Sequence, residues 1–215
     1  KIAEQAGRPT TENELKDALS EMLIAFPVYR TYGTPEGMRA DDKALLDQVI
    51  EAIGDAGHTV SIEALALING ILKGDVPTSA AQDAVTFRTK FQQLTGPIMA
   101  KSIEDTLFFR HNLLLGLNEV GAEPIQPDFS LDHFHEEMRI RKERQPMGIS
   151  STSTHDTKRG EDARARLYAL SEAPEVWIAA VEGWRETTAK AVQELPDGPA
   201  PEPEVEWMIY QALAG

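Results

Sequence analysis

Residues 147–167 read MGISSTSTHDTKRGEDARARL. The first eight follow Pro146, are rich in Ser and Thr, and carry no helical period. They read as a strand that runs into His155 and Asp156. Past Lys158 the apolar positions Ala163, Leu167 and Leu170 recur at helical spacing. A strand, a polar pair at its tip and a following helix make one β/α unit, which cannot close a sheet by itself.

Outward from this stretch the chain is helical in both directions. Downstream, Trp177, Val181, Trp184 and Thr188 fall on one face of a helix. A Pro-rich connector over 196–203 leads to a last helix marked by Val205, Met208, Ile209 and Leu213. Upstream, Leu131, Phe134 and Met138 mark a helix whose basic end, 139–144, suits the negative pole of the helix dipole. Residues 121–128 read as loop.

Further upstream, Leu15, Leu19, Met22, Leu23 and Phe26 form a helical face that Pro27 ends, and Thr11 with Glu14 has capping-box spacing. Residues 28–34 are β-prone and read as a short strand or an extended connector. Leu45, Leu46, Val49, Ile50 and Ile53 mark a second helix. A third, marked by Ile62, Leu65, Ile68, Ile71 and Leu72, is opened by Ser61 and closed by Gly74 and Pro77. A fourth carries Ala84, Phe87, Phe91 and Leu94. The spacing predicts a break at Gly96-Pro97, a fifth helix over 98–110, and a short apolar turn over 113–117. The sum is about nine helices and one or two short strands, with no repeat of fixed period.

The 215 residues carry a formal net charge of −14. Such a surface repels phosphate backbones and anionic lipid, so neither nucleic acid nor membrane is expected as a partner, while a neutral ligand is compatible with it. No apolar run approaches the length of a transmembrane helix. Cysteine is absent, which excludes disulfides and thiolate chemistry and fits a cytoplasmic location. The chain opens on Lys1 and closes on Gly215 directly after a helical pattern, and both ends read as cuts through a longer protein.

Several residues admit two readings. Asp156 is either an N-cap for the following helix or a carboxylate presented at a strand tip. Lys158 is a solvated lysine or one that reaches a ligand. Lys101 and Asp105 are four apart, which places them on one helix face as a solvated pair or as a ligand-orienting one; Glu104 lies beside them. His133 and His135 sit two apart on a helix, point to different sides, and exclude a metal site of the HExxH kind. Trp177, Trp184 and Trp207 could stack on sugars, but helical spacing among apolar neighbours favours core packing. Of Phe108 and Phe109, one is expected to pack inward and the other to line a cleft.

Two stretches resemble a known family. They are FQQLTGPIMAKSIEDTLFFRHNLLLGLNEV (91–120) and STSTHDTKRGEDARARL (151–167). In this order they are similar to maltooligosyltrehalose synthases, members of the α-amylase superfamily; the tryptophan region and the final EVEWMIYQALAG continue the likeness. The chain departs at Ser102 and Phe109, where the family tends to have Gly and Tyr, and at 121–124, where it tends to have Gly-Gly-Asp-Pro. These departures bear on fine substrate preference.

The resemblance implies a mainly α chain: a helical subdomain over 1–145, inserted in a (β/α)8 barrel and covering its cleft, joined to one late β/α segment of that barrel over 146–215. It implies an isomerase of trehalose biosynthesis. That enzyme turns the reducing-end α-1,4 link of a maltooligosaccharide into an α,α-1,1 link without cofactor or metal. Retaining glycoside chemistry needs a nucleophile and an acid; the superfamily adds a third carboxylate that binds sugar hydroxyls. Asp156 matches that third carboxylate and His155 its sugar-binding neighbour. Lys158, Lys101, Glu104 and Asp105 are the further substrate-binding candidates. No match to the nucleophile or acid is found, so the isolated chain is expected to be inactive and to need the remainder of the barrel. Composition and periodicity alone favour a non-catalytic helical interaction module, and an amylase-type hydrolase is the other alternative.

Overall fold

The computed structural model describes residues 2–5, 7, 10–57, 59–122 and 130–215. The loop expected over 121–128 lies mostly outside the described residues. The chain is mainly helical and divides by contact into two compact units, Lys1–Ser102 and Ile103–Gly215. The expected division at 145/146 is one of topology, between inserted helices and barrel, and remains a proposal. No helix among the described residues is long and apolar enough to cross a membrane.

The first unit holds α1 (Ile2–Gln5), α2 (Glu12–Ile24), α3 (Ala40–Asp55), α4 (Ile62–Lys73) and most of α5 (Ala81–Ile103). α2 starts with the capping box expected of Thr11 and Glu14: the Glu14 amide donates to Thr11 Oγ1 at 3.2 Å, and the Thr11 amide donates to Glu14 Oε2 at 2.7 Å. α4 is bounded as its sequence dictates. Ser61 caps its first turn and Gly74 closes it with φ 87°, a left-handed backbone that only glycine adopts without cost. The apolar faces of α2, α3 and α4 close on Met22, Leu46, Val49 and Leu72, and Phe26 meets Phe91 of α5 edge-on at 5.4 Å.

The segment over 28–39 is the connector of the two readings. Its one bridge joins Thr34 and Gly37. Polar side chains of α5 hold it down. Gln92 Oε1 accepts from Thr31 Oγ1 at 3.1 Å and from the Gly33 amide at 2.6 Å, while its amide donates to Gly33 O at 3.0 Å. Arg88, itself buried, donates to Leu72 O at 3.2 Å and also to Thr34 O. Buried backbone groups in irregular chain need such partners. Gln92→Leu leaves both backbone groups of Gly33 and the Thr31 hydroxyl without this partner, and the expected loss of stability is about 2 kcal/mol. A urea titration checks it through a lower midpoint at unchanged slope; an unchanged midpoint contradicts it.

The expected break at Gly96-Pro97 does not occur, because α5 runs through Pro97 to Ile103. Proline removes the bond to the carbonyl four residues back. That carbonyl belongs to Gln93, and both Gln93 and Pro97 lie on the exposed side of the helix, where water replaces the lost donor. The fifth helix expected over 98–110 is therefore the end of the fourth, followed by turns.

The second unit contains single turns at Leu107–Phe109 and Leu115–Leu117, then α6 (Leu131–Arg144), α7 (Glu161–Glu172), α8 (Pro174–Thr188) and α9 (Pro203–Ala214). Its paired strands are β1 (Gln193–Leu195) and β2 (Gly198–Ala200), an antiparallel hairpin whose turn and second strand fall in the expected connector. Pro196-Asp197-Gly198 is a turn signature, and Gly198 supplies the required φ of 125°. α6 buries no residue, so His133 and His135 ride on an exposed helix, and no metal-binding cluster exists among the described residues.

Two features bind the irregular segment 107–122 to the helices. Gln211 of α9 is fully buried; its amide donates to Asn112 O at 2.7 Å and its Oε1 accepts from the Leu115 amide at 2.9 Å. Gly116 abuts α7: Tyr168 OH donates to Gly116 O at 3.0 Å, and a Cβ at Gly116 would meet the Tyr168 ring at 2.8 Å. Gly116→Ala is expected to cost about 1–2 kcal/mol through this overlap, read as a lower melting temperature. A melting temperature equal to wild type contradicts it.

Of the tryptophans, Trp177 is buried as its spacing favours, whereas Trp184 stays 42% exposed. Trp177 meets Trp184 at 5.5 Å and Trp207 at 5.8 Å, both edge-on, and Trp177, Val181 and Tyr210 form a buried cluster. Trp207 Nε1 donates to Leu113 O at 3.1 Å, so its polar edge is occupied.

Candidate functional site

The strand expected over 147–154 is not formed. A strand needs a neighbour for its ladder, and here side-chain hydroxyls take the backbone instead. Ser151 Oγ donates to Ser153 O at 2.5 Å, Thr157 Oγ1 donates to Thr154 O at 2.9 Å, and Thr154 Oγ1 accepts from the Asp156 amide at 3.3 Å. Ser153 Oγ also accepts from the Glu161 amide at 3.1 Å. His155 and Asp156 thus sit in a hydroxyl-stitched turn, both exposed.

That geometry removes the capping role for Asp156. α7 begins at Glu161, five residues on, with Gly160 as its N-cap and no side-chain cap. The Asp156 side chain is 58% exposed, and its carboxylate stands 4.0 Å from Lys158 Nζ. A short acidic side chain held at a turn and facing solvent is available to a ligand.

Lys158 is the centre of the charge arrangement. Its ammonium donates to Glu104 Oε2 at 2.7 Å, with the side chains 30% and 11% exposed. This bond to Glu104 holds the Lys158 pKa above the ordinary lysine value; desolvation opposes it, and the charges of Asp156 and Asp105 add to it. A raised folded-state pKa contributes stability that is fully present below the unfolded value, near 10, and is lost as pH climbs through the folded one. The difference in melting temperature between wild type and Lys158→Met is therefore expected to be constant to about pH 10 and to narrow above it. A difference that is flat across alkaline pH contradicts this.

A cavity of about 350 Å³ opens beside the pair. Its walls include Glu104, Asp105, Lys158, Arg159 and the faces of Phe108 and Phe109. Phe108 is buried and Phe109 is 69% exposed, yet both border the cavity, where only one of the two rings was expected to. Carboxylates and ammonium groups beside an aromatic surface suit a polyhydroxylated ligand: hydroxyls exchange hydrogen bonds with the charges and the C–H face lies on a ring.

The candidates separate as follows. Glu104, Asp105 and Lys158 share the cavity, and Asp156 stands at Lys158. Lys101 lies exposed in the last turn of α5, in the first unit. Asp105 lies past the end of α5 at Ile103, in a turn rather than on the helix that was expected to carry both it and Lys101.

Two residues escaped the sequence reading. Asn118, buried at the cavity wall, donates to Phe108 O at 3.0 Å and His111 O at 2.8 Å, and its Oδ1 has no protein partner. Glu119 is buried and accepts from the Val120 and Lys158 amides at 2.8 Å each and from the Arg159 amide at 3.3 Å. The signal for both was a polar pair directly after the apolar run 113–117, inside a stretch that already carried the resemblance.

Comparison with known proteins finds maltooligosyltrehalose synthases. Two curated relatives from Mycobacterium tuberculosis, of strains CDC 1551 / Oshkosh and ATCC 25618 / H37Rv, carry the name maltooligosyl trehalose synthase. Each is 40% identical over 108 residues, 50% of this chain and 14% of its own length. The solved structure of maltooligosyltrehalose synthase from Arthrobacter ramosus superposes with a TM-score of 0.69 at 28% identity, over 99% of this chain and 29% of that one. The chain is similar to the maltooligosyltrehalose synthases. No family model matches it. The match spans a minor part of each synthase, 14% of the curated relatives and 29% of the solved one. The helical content of the chain agrees with a fragment of such an enzyme.

Proposed function

We propose that this chain forms part of an enzyme that moves the reducing-end glucose of a maltooligosaccharide from an α-1,4 to an α,α-1,1 link. The observation that carries the reading is the array Asp156, Lys158 and Glu104, set beside an aromatic-walled cavity within the two stretches that resemble the synthases. The fold similarity to a synthase over nearly the whole chain supports it.

In this reading the reaction conserves atoms and needs no water. An acid protonates the oxygen that leaves C1 of the penultimate sugar, a carboxylate takes that carbon, and glucose departs with O4 free. The glucose turns over, and its own C1 hydroxyl attacks the same carbon, breaking its bond to the carboxylate, while the hydroxyl proton returns to the former acid. The nucleophile and acid come from elsewhere in the enzyme, so the isolated chain is inactive.

Asp156 supplies the third carboxylate. Accepting hydroxyl hydrogens of the distorted ring, it binds more strongly as positive charge grows on the ring, and that difference lowers the barrier. His155 binds the same sugar. Lys158, Glu104 and Asp105 hold the hydroxyls of the departing glucose as it turns. Residues 1–145 belong to a helical insertion and 146–215 to the late barrel segment. The enzyme is cytoplasmic and takes a neutral oligosaccharide.

The test is to incubate the full-length enzyme with maltopentaose and follow reducing ends. This reading expects them to fall without release of free glucose. A rise, with free sugar appearing, indicates a hydrolase and contradicts it.

A further inference from the structure

We propose that Glu119 is a positioning residue, which sets the turn bearing His155, Asp156 and Lys158 against the cavity. The inference rests on the functional reading of Asp156 given above and extends it to a residue that contacts no ligand.

The carboxylate of Glu119 is only 11% exposed, with Arg164 Nη1 3.6 Å from Oε2. Its two oxygens divide the work. Oε1 accepts from the Val120 amide of its own segment and from the Lys158 amide across the turn, each at 2.8 Å. Oε2 accepts from the Arg159 amide at 3.3 Å. One carboxylate therefore joins 119–120 to 158–159 by charge-assisted bonds to main chain, the stronger kind.

The turn has no ladder to hold it: its other bonds are local contacts within 151–161, chiefly of side-chain hydroxyls, and an Arg164 guanidinium that donates to Thr152 O. Arg159 Nη1 reaches Leu115 O at 3.4 Å, a weaker second tie in the same direction. Glu119 thus fixes the main chain at Lys158, two residues from Asp156, and with it the place from which the Lys158 ammonium reaches Glu104. A displacement near 1 Å at such a group costs up to about a hundredfold in rate.

The experiment compares Glu119→Ala, Glu119→Gln and Asp156→Asn in the full-length enzyme on maltopentaose, with amide hydrogen exchange at Lys158 and Arg159. Glu119→Ala is expected to lower kcat about 30-fold per folded molecule while KM stays within about threefold. Exchange at both amides rises, while the amide of Leu167 in the core is unchanged. Glu119→Gln keeps one carbonyl oxygen for Val120 and Lys158 and is expected to recover to within about fivefold of wild type. If Glu119→Ala does not fold, Glu119→Gln carries the test through faster exchange at Arg159 and its partial loss of kcat.

Wild-type kcat in Glu119→Ala, or unchanged exchange at both amides, overturns the proposal while Asp156→Asn remains inactive. Full activity in Asp156→Asn overturns the functional reading, and the positioning role falls with it.

Discussion

Asp156→Asn in the full-length enzyme lowers kcat on maltopentaose by about a thousandfold, with a smaller change in KM. The exchange keeps the size and one acceptor oxygen of the side chain and removes the negative charge. A ground-state sugar is neutral and loses little. The ring approaching the oxocarbenium-like state carries positive charge and loses the most, which places the effect in kcat. The fold is expected to survive, because the carboxylate is 58% exposed, caps no helix and stands 4.0 Å from its nearest cation. Melting temperature is therefore the control. Wild-type kcat at wild-type stability rejects the role given to Asp156.

The second large effect belongs to Lys158. Lys158→Met keeps much of the apolar stem and removes the ammonium that lies 2.7 Å from Glu104. Two consequences act together. The Glu104 carboxylate, 11% exposed, loses the cation that compensates its burial. The cavity also loses a donor suited to a sugar hydroxyl. The expected fall in kcat/KM is about a hundredfold. Lys158→Arg keeps the charge but spreads it over a planar fork with a different reach, so only partial recovery is expected. Initial rates over a range of maltopentaose concentrations measure both. A kcat/KM in Lys158→Met within about threefold of wild type contradicts the assignment.

Much of the fold was legible because the helices obey local rules. Thr11 with Glu14, Ser61 with Gly74, and the apolar stripes of α2 to α4 set their own limits, and tertiary packing left those limits in place. Proline misled twice for opposite reasons. At Pro97 the lost hydrogen bond falls on the solvent side, so the helix continues where a break was expected. At Pro196 the same residue opens a turn, and the signature Pro-Asp-Gly held a hairpin turn inside what read as a connector.

The stretch around His155-Asp156 was misread at the level of structure. Ser and Thr suit a strand when a partner strand is present, but their hydroxyls also bond their own backbone, and the second tendency wins here. The likeness to the synthases picked out Asp156 and Lys158 without regard to that. For Glu119 the sequence offers a polar position after an apolar run but not its partners, because it binds main chain 39 and 40 residues away and no local period or spacing encodes such a contact.

The most direct measurement is a crystal structure of the full-length enzyme with a bound maltooligosaccharide. The account predicts a glucose ring whose hydroxyls lie within hydrogen-bonding distance, about 2.6–3.2 Å, of the Asp156 carboxylate, with Lys158 reaching the adjoining sugar. A sugar bound remote from Asp156, or an Asp156 carboxylate turned into protein in the complex, would contradict it.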